Sequence, residues 1–254
     1  MKIGISSPAF SNMQFEPLLE KVAEHFTIWE IVADIEQLLP DIKDHIIKLA
    51  PSYDIKFSIH APFNDLNIAS FNKHIREYSM RTIKESMTVA HELGIRGFSL
   101  HPGHFCAAGL YDHEKVHRLS KQGVKELAEF SSDLDLDVSL ENMPIPNWTL
   151  CTTRDELMEY IELSGFRICF DIGHAHINGQ IFEFMKVKEH FGNIHIHDNN
   201  GKRDEHTIIG EGSIPFRDFI PELAESYSGN IIIEANNLEE GIISYNKLRS
   251  MTEP

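Results

Sequence analysis

Short apolar runs rich in β-branched residues alternate with longer amphipathic stretches along the whole chain. The short runs are typical of buried strands, and the amphipathic stretches are typical of helices that cover a sheet. Such an alternation predicts a parallel sheet whose strands are joined by right-handed helical crossovers. The eight predicted strands are Lys2–Ser7, Thr27–Ala33, Ile55–His60, Gly97–His101, Asp135–Glu141, Phe166–Asp171, Asn193–Asp198 and Asn230–Glu234.

The helix boundaries have signals of their own. The longest helical pattern covers Asn72–Leu93, with Ser70 as its predicted N-cap and Gly94 just past its C-terminal end. The run Thr153-Arg154-Asp155-Glu156 has the form of a capping box, which predicts the start of another helix. Pro215 lies where a further helix could begin.

The chain length indicates whether the predicted sheet closes into a barrel or remains open. Eight strand–helix units in 254 residues match the usual size of a (β/α)₈ TIM barrel, about 250 residues, and favour closure over an open sheet. A hydrophobic fraction of 42% with 24% charged residues is ordinary for a globular domain with one core. Because no Pro/Gly-rich linker or composition shift interrupts the pattern, we expect a single domain over residues 1–254.

Charge and cysteine content narrow the possible partners and compartment. The formal net charge of −16 argues against nucleic acid as a partner, although bound divalent metals would offset it locally. No run approaches the roughly 18 apolar residues that a membrane helix needs. The N-terminal residues have the pattern of a strand, which argues against a cleaved signal peptide. The three cysteines are widely spaced, which is typical of free thiols in a reducing compartment. We therefore expect a cytoplasmic protein with no membrane association and no obligate protein partner.

The predicted strands share an unusual feature, because six of the eight end on His, Asp or Glu. In an α/β barrel these ends converge on one face, and burying several carboxylates there without cations is costly. A lone histidine at a strand end is more often hydrogen-bonded than metal-bound, but the repeated pattern favours a shared metal site. The candidate residues at or just after the strand ends are His60, His101, Glu141, Asp171, His174, His195, His197, Asp198, Asp204, Glu205, His206 and Glu234.

Several neighbouring residues have more than one interpretation. His195 and His197 share a strand face, so periodicity does not say which of them binds metal. His104 and His176 lie near the predicted site and could support ligands or contact substrate. Asn142 could orient a carboxylate or substrate, or could make a loop hydrogen bond alone.

Other loop features have simpler explanations. Gly210-Glu211-Gly212 is typical of a tight turn. Phe63 and Trp148 could stack on a sugar, or could only cover the core. The histidines within helical patterns are expected to be solvated or packed, and they are His25, His45, His74, His91, His113, His117 and His190.

Taken in order, the strand-end motifs resemble the xylose isomerase-like TIM-barrel superfamily, and within it endonuclease IV. The resemblance covers essentially the whole chain. Its motifs are His60-Ala61-Pro62, His101-Pro102-Gly103, Glu141-Asn142, Asp171-x-x-His174, His195-x-x-Asp198, Asp204-x-His206 with Gly210-Glu211-Gly212, and Glu234.

The resemblance implies up to three Zn²⁺ ions, and it selects His195 over His197 as a ligand. The implied groups are His60, His101 and Glu141 for the first ion, Glu141, Asp171, His195 and Glu234 for the second, and His174, Asp204 and His206 for the third. This mixture of nitrogen and oxygen ligands suits zinc, with Mn²⁺, iron or another divalent metal as alternatives.

Three functions follow as hypotheses. The first is phosphoester hydrolysis, with Glu141 positioning a metal-bound hydroxide. The second is isomerisation or epimerisation of a sugar or sugar phosphate, as in relatives that need one metal, with Glu141 and Glu234 transferring protons. The third, a metal-binding protein without catalysis, is disfavoured because such sites normally leave coordination open for substrate.

The expected substrate is either abasic DNA or a smaller phosphorylated or sugar molecule. Endonuclease IV carries a long basic loop after its second strand. The corresponding segment here, residues 33–40, is short and acidic. Lys202 and Arg203 are the best basic candidates near the predicted mouth of the site. The metal chemistry can therefore be shared without the DNA binding.

Overall fold

The computed structural model describes residues 2–145 and 148–252. Eight parallel strands form a closed barrel in chain order, with the first strand paired to the last. The predicted TIM barrel is confirmed. The strands are β1 (Lys2–Ser6), β2 (Ile28–Val32), β3 (Lys56–His60), β4 (Gly97–Leu100), β5 (Asp137–Glu141), β6 (Arg167–Asp171), β7 (Phe191–Ile196) and β8 (Asn230–Glu234).

Helices surround the barrel and join its strands. Among the described residues, none of them is long and apolar enough to cross a membrane. The α-helices are α1 (Phe15–Ala23), α2 (Leu39–Leu49), α3 (Lys73–Glu92), α4 (His113–Ser131), α5 (Arg154–Ser164), α6 (Ile172–Ile177), α7 (Ile181–Met185), α8 (Ile220–Ser226) and α9 (Leu238–Thr252). Short 3₁₀ helices cover Pro8–Asn12, Ile35–Gln37, Ala50–Ser52, Ala107–Tyr111, Lys188–His190 and Phe216–Asp218.

The predicted N-cap of α3 was wrong. Asn72 caps this helix, because its Oδ1 accepts a hydrogen bond from the backbone N–H of His74 at 3.0 Å. Ser70 lies before the cap, and its hydroxyl accepts a hydrogen bond from the backbone N–H of Asn72 at 3.2 Å. Gly94 lies past the helix end with φ of +68°, as predicted.

Two other boundary signals had different outcomes. Thr153 caps α5 as predicted, since its hydroxyl accepts from the N–H of Glu156 at 3.3 Å. Pro215 precedes only a 3₁₀ turn, and α8 begins at Ile220. Strand β7 ends at Ile196 rather than at Asp198, because the chain there turns into the loop above the barrel.

The two sides of the barrel strands differ in polarity. Trp29 of β2 packs against Phe15 of α1, with ring centroids 5.4 Å apart, in the apolar layer under the helices. The next residue, Glu30, instead hydrogen-bonds to Ser58 of β3 and to Asn193 of β7, on the far side of the barrel. Barrel interiors are usually filled by bulky branched residues. Here a buried polar layer lies beneath the C-terminal mouth.

Candidate metal centre

The C-terminal mouth of the barrel brings all nine predicted ligands together. Within each of several groups of side chains, the possible ligand atoms lie within 4.8 Å of one another. The groups share members, so they form one continuous cluster. They are His60, His101 and Glu141; Glu141, Cys169 and His195; Asp171, His195 and Glu234; Asp171, His174 and His197; and His197, Asp204 and His206.

Glu141, the last residue of β5, lies at the centre of the cluster. Its Oε2 lies 3.3 Å from Nε2 of His60 and 3.5 Å from Nε2 of His101. The same oxygen lies 3.5 Å from Nδ1 of His195, and its Oε1 lies 3.3 Å from Nδ1 of His174. One carboxylate therefore contacts histidines at or just after the C-terminal ends of four different strands.

A second carboxylate, that of Asp204, gathers three histidines on the other side. Its Oδ2 lies 3.1 Å from Nε2 of both His174 and His206. Its Oδ1 lies 3.2 Å from Nε2 of His197, which is also 3.5 Å from Oδ1 of Asp171. His197 therefore belongs to the cluster, although the resemblance places only His195 among the ligands.

Backbone carbonyls fix the orientation of three of these imidazoles. Nδ1 of His60 lies 2.8 Å from the carbonyl of Ala61, and Nδ1 of His174 lies 2.9 Å from that of Asn142. Nδ1 of His197 lies 3.3 Å from the carbonyl of Asp198. An N–H donated to a carbonyl leaves the lone pair of Nε2 free, which is how proteins prepare histidines for metal binding.

Unpaired buried atoms test whether cations fit this cluster. Buried polar atoms in proteins are normally hydrogen-bonded. In the described part of the chain, the buried side-chain atoms without a hydrogen-bond partner include Asp171 Oδ2, His195 Nδ1, His197 Nε2, Asp204 Oδ1 and His206 Nδ1. All five belong to the cluster, and imidazole nitrogens with carboxylate oxygens are common zinc ligands. The residues present therefore fit divalent metal ions.

The two glutamates of the cluster have opposite electrostatic environments. Burial raises the pKa of Glu141, but His195 and His101 outweigh it and hold this pKa well below its usual value. Burial also raises the pKa of Glu234, and there it prevails over the attraction of His195, so this pKa is raised. Glu141 is therefore the stronger anion of the pair.

The loop that carries Asp204 and His206 is organised by Asp198. Oδ2 of Asp198 accepts hydrogen bonds from the N–H groups of Gly210 at 2.8 Å and Gly212 at 2.9 Å. A Cβ atom at Gly212 would lie 2.4 Å from Oδ1 of Asp198. Asp198 therefore holds the predicted Gly210-Glu211-Gly212 turn directly. The resemblance had included Asp198 only as the last residue of the motif His195-x-x-Asp198.

Asn142 and His176, two of the residues with open interpretations, do not belong to the ligand groups above. Nδ2 of Asn142 donates to the carbonyl of Asp171 at 2.9 Å, and its Oδ1 accepts from the N–H of the same residue at 2.8 Å. These two bonds join the end of β5 to β6 and hold the backbone of Asp171, whose carboxylate belongs to the cluster. Nε2 of His176 lies 2.9 Å from the hydroxyl of Ser213.

The cluster lies at the base of a small cavity of about 200 Å³. A second cavity of about 230 Å³, which His104 lines, shares Phe63, His101, Met143 and Thr149 with the first. The ring of Phe63 packs on His101 with centroids 4.9 Å apart, so this phenylalanine forms part of the cavity wall. Trp148 lies at 51% exposure above the barrel.

Glu30 was missed by the sequence analysis. Its Oε1 lies 2.7 Å from Nε2 of His195, and both side chains are completely buried. The available signal was a single charged residue in the middle of the apolar strand Ile28–Val32. A pattern of strand-end residues does not reveal Glu30, because it lies in the middle of its strand.

A closed eight-stranded barrel with a histidine and carboxylate cluster at its C-terminal mouth defines a TIM-barrel protein with a candidate metal centre. The model of the family described as xylose isomerase-like TIM barrel matches residues 19–248. The chain belongs to this family, and the predicted relationship is confirmed.

The similar proteins include one named as an endonuclease and one named as epimerase-like. An uncharacterized protein of Methanocaldococcus jannaschii is 34% identical over 263 residues, covering 100% of this chain and 90% of its own. A probable endonuclease 4 of Aquifex aeolicus is 27% identical, covering 74% of this chain and 72% of its own. The crystal structure of a D-tagatose 3-epimerase-like protein superimposes with a TM-score of 0.91 at 32% identity, covering 99% of this chain and 97% of its own.

Proposed function

We propose that this chain is a multi-metal enzyme that hydrolyses a phosphoester bond in a small substrate such as a sugar phosphate. The resemblance implies that a one-metal sugar isomerase of this superfamily uses the four positions of Glu141, Asp171, His195 and Glu234. The supporting observation is that the cluster extends beyond these four. His60 and His101 extend it on one side of Glu141, and Asp204 with His206 extends it on the other. Such a site would hold up to three divalent ions, with zinc favoured.

When bound, two or more metal ions would supply a hydroxide at neutral pH and neutralise the charge on a phosphoryl group. The residues of the cluster would hold these ions in place. Glu141 reaches His60 and His195 at once, so its charge is available to both ligand groups. Carbonyl-anchored imidazoles such as that of His174 lose little freedom on binding. Phe63 and Met143 give the cavity above these ligands an apolar wall.

The choice of a small substrate is supported by the cavity and by charge. A cavity of about 200 Å³ suits a compact molecule, and the net charge of −16 opposes a polyanion at ordinary salt. The segment after β2 is a short 3₁₀ turn, Ile35–Gln37. Asp34 anchors it by accepting hydrogen bonds from the N–H groups of Phe63 and Asn64.

The test combines a metal count with a substrate panel. The chain is reconstituted with Zn²⁺, Mn²⁺ or Fe²⁺, its metal content is measured by elemental analysis, and phosphate release from sugar phosphates is followed. About three ions per chain and release of phosphate are expected. Abasic DNA is tested in parallel at low salt, because weak phosphate contacts are screened otherwise. Nicking of that DNA would move the substrate to nucleic acid, and one ion with no ester cleavage would refute the proposal.

Epimerisation of a sugar is the second candidate, and a specific geometry favours it. The carboxylates of Glu141 and Glu234 both approach Nδ1 of His195, at 3.5 and 3.3 Å. Two carboxylates beside one metal position, with pKa values displaced in opposite directions, suit proton removal and return at a sugar carbon. Incorporation of solvent deuterium at that carbon, with no ester cleaved, would establish this function instead.

A further inference from the structure

We infer that Glu30 is a positioning residue that fixes the orientation and proton location of His195, and thereby sets the metal affinity of the centre. The inference rests on the proposed metal centre, but not on which reaction that centre catalyses. Glu30 lies in the middle of β2, below the ligands, and touches none of the other eight predicted ligands within hydrogen-bonding distance among the described residues.

Both oxygens of Glu30 have defined partners. Oε2 accepts a hydrogen bond from the hydroxyl of Ser58 at 2.9 Å and another from Nδ2 of Asn193 at 2.8 Å. Oε1 lies 2.7 Å from Nε2 of His195. A carboxylate can only accept hydrogen bonds, so the short contact to His195 requires a proton on Nε2.

The neighbouring amide is consistent with this proton location. Nδ2 of Asn193 also lies 3.2 Å from Nε2 of His195. Its two hydrogens, however, have acceptors in Oε2 of Glu30 and in Oγ of Ser99, at 2.8 and 2.9 Å. Because no amide hydrogen remains for the imidazole, Nε2 is left to donate its own proton to Glu30.

With its proton on Nε2, His195 directs the lone pair of Nδ1 into the cluster. Nδ1 faces Oε2 of Glu141 and Oε1 of Glu234, and it has no hydrogen-bond partner in the part of the chain that the structure describes. His60 and His174 present Nε2 instead, since carbonyls hold their Nδ1 atoms. His195, unlike these two, is held by a carboxylate from within the barrel, an arrangement that raises ligand basicity.

The test replaces Glu30 and measures metal binding without any substrate. Zinc affinity of Glu30→Gln is compared with that of the unchanged chain by competition with a chromogenic chelator. We expect zinc binding to weaken about 10–100-fold. The metal-free chain should stay folded by circular dichroism, although its thermal midpoint falls because the buried pair with His195 is lost. Ser139→Ala is the matched control, because Ser139 is buried in β5 but, in the described part of the chain, forms no hydrogen bond with Glu30, Asn193 or His195. Its zinc affinity is expected to equal that of the unchanged chain.

Two results would overturn the inference. The first is a zinc affinity of Glu30→Gln within twofold of that of the unchanged chain, or an equal loss of affinity in Ser139→Ala. If Glu30→Gln does not fold, the second measurement uses the unchanged zinc-loaded chain, in which nitrogen-15 NMR reports the protonated imidazole nitrogen. Proton signals on Nδ1 of His195 would contradict the inference. If the chain bound zinc normally but cleaved no ester, only the proposed reaction would fail.

Discussion

The imidazole rings of His197 and His206 are stacked, with centroids 4.1 Å apart and planes inclined by 9°. His197 directly follows β7, whereas His206 lies in the loop above it with a left-handed φ of +48°. Both present Nε2 to the carboxylate of Asp204. A non-glycine residue held in this conformation implies that the surrounding contacts compensate for the strain, and the stack is one of those contacts.

The stacked pair gives a first prediction, that His197→Asn weakens metal binding at the Asp204 side of the cluster. The Nε2 atom of His197 is buried and points at Asp204 and Asp171, so its loss removes a nitrogen ligand or a direct support of two carboxylates. We expect zinc affinity there to fall about 10–100-fold. Elemental analysis after gel filtration would show about one ion fewer per chain.

His176→Asn is the control for this experiment. His176 lies on the same side of the barrel mouth, but its Nε2 contacts Ser213 rather than a carboxylate. Its metal content should match that of the unchanged chain. If His197→Asn also keeps its full metal content, His197 has no part in holding the ions, and the ligand set implied by the resemblance is complete without it.

A second prediction separates two kinds of glycine in the loop that Asp198 holds. An added Cβ at Gly212 would lie 2.4 Å from the carbonyl oxygen of Asn199, whereas nothing lies within 4 Å of one added at Gly210, which has φ of +84°. We expect Gly210→Ala to cost about 1–2 kcal/mol of unfolding free energy, for the left-handed backbone alone. Gly212→Ala should cost more, because the backbone must move and break its hydrogen bond to Asp198.

Urea unfolding of the metal-free chain measures both costs. The same samples titrated with zinc should show that Gly212→Ala also loses affinity, since Asp204 and His206 lie in the displaced loop. Equal unfolding free energies for the two variants would mean that the loop relaxes around the added methyl group without cost. The role assigned to Asp198 would then be wrong.

The strand pattern was sufficient to predict the barrel and to place histidines and carboxylates at its strand ends. The particular set of nine candidate ligands came from the resemblance to endonuclease IV. Glu30 depends on a contact across the barrel, with Asn193 as a partner 163 residues away, and no local pattern carries that information. His195 and His197 share a strand face, so only coordinates could show that both reach carboxylates. The α3 cap was misplaced because Ser70 and Asn72 are both good caps, and their geometry decides between them.

A third prediction concerns the pH dependence of stability in the metal-free chain. Burial lowers the pKa of His197, but Asp171 and Asp204 outweigh it and raise this pKa to about 10. The pKa of His174 is raised for the same reason, and that of His195 is raised as well. The folded chain therefore holds these protons more tightly than the unfolded chain, in which histidine has a pKa of about 6.5.

The stabilisation from these protons is complete below about pH 6.5 and is lost as the pH rises toward the folded-state pKa values. Thermal midpoints of the chelator-treated chain should therefore fall between about pH 6.5 and pH 9. Zinc competes with the same protons, so the increase in midpoint on adding zinc should grow over that range. A midpoint of the metal-free chain that stays level across the range would contradict the buried, protonated state of these histidines.

The last prediction concerns Glu141, whose carboxylate contacts histidines on both sides of the cluster. Glu141→Gln keeps the shape of the side chain but removes the negative charge that the surrounding histidines hold ionised. We expect the rate of phosphate release by the metal-loaded chain to fall about 10²–10⁴-fold, the usual contribution of a positioned acid–base group. The circular dichroism of the metal-free chain should stay unchanged. Glu211→Gln is the control, because Glu211 is exposed and pairs with Lys247 instead. Turnover retained in Glu141→Gln, with the metal ions still bound, would exclude Glu141 from the chemistry and leave it as a ligand only.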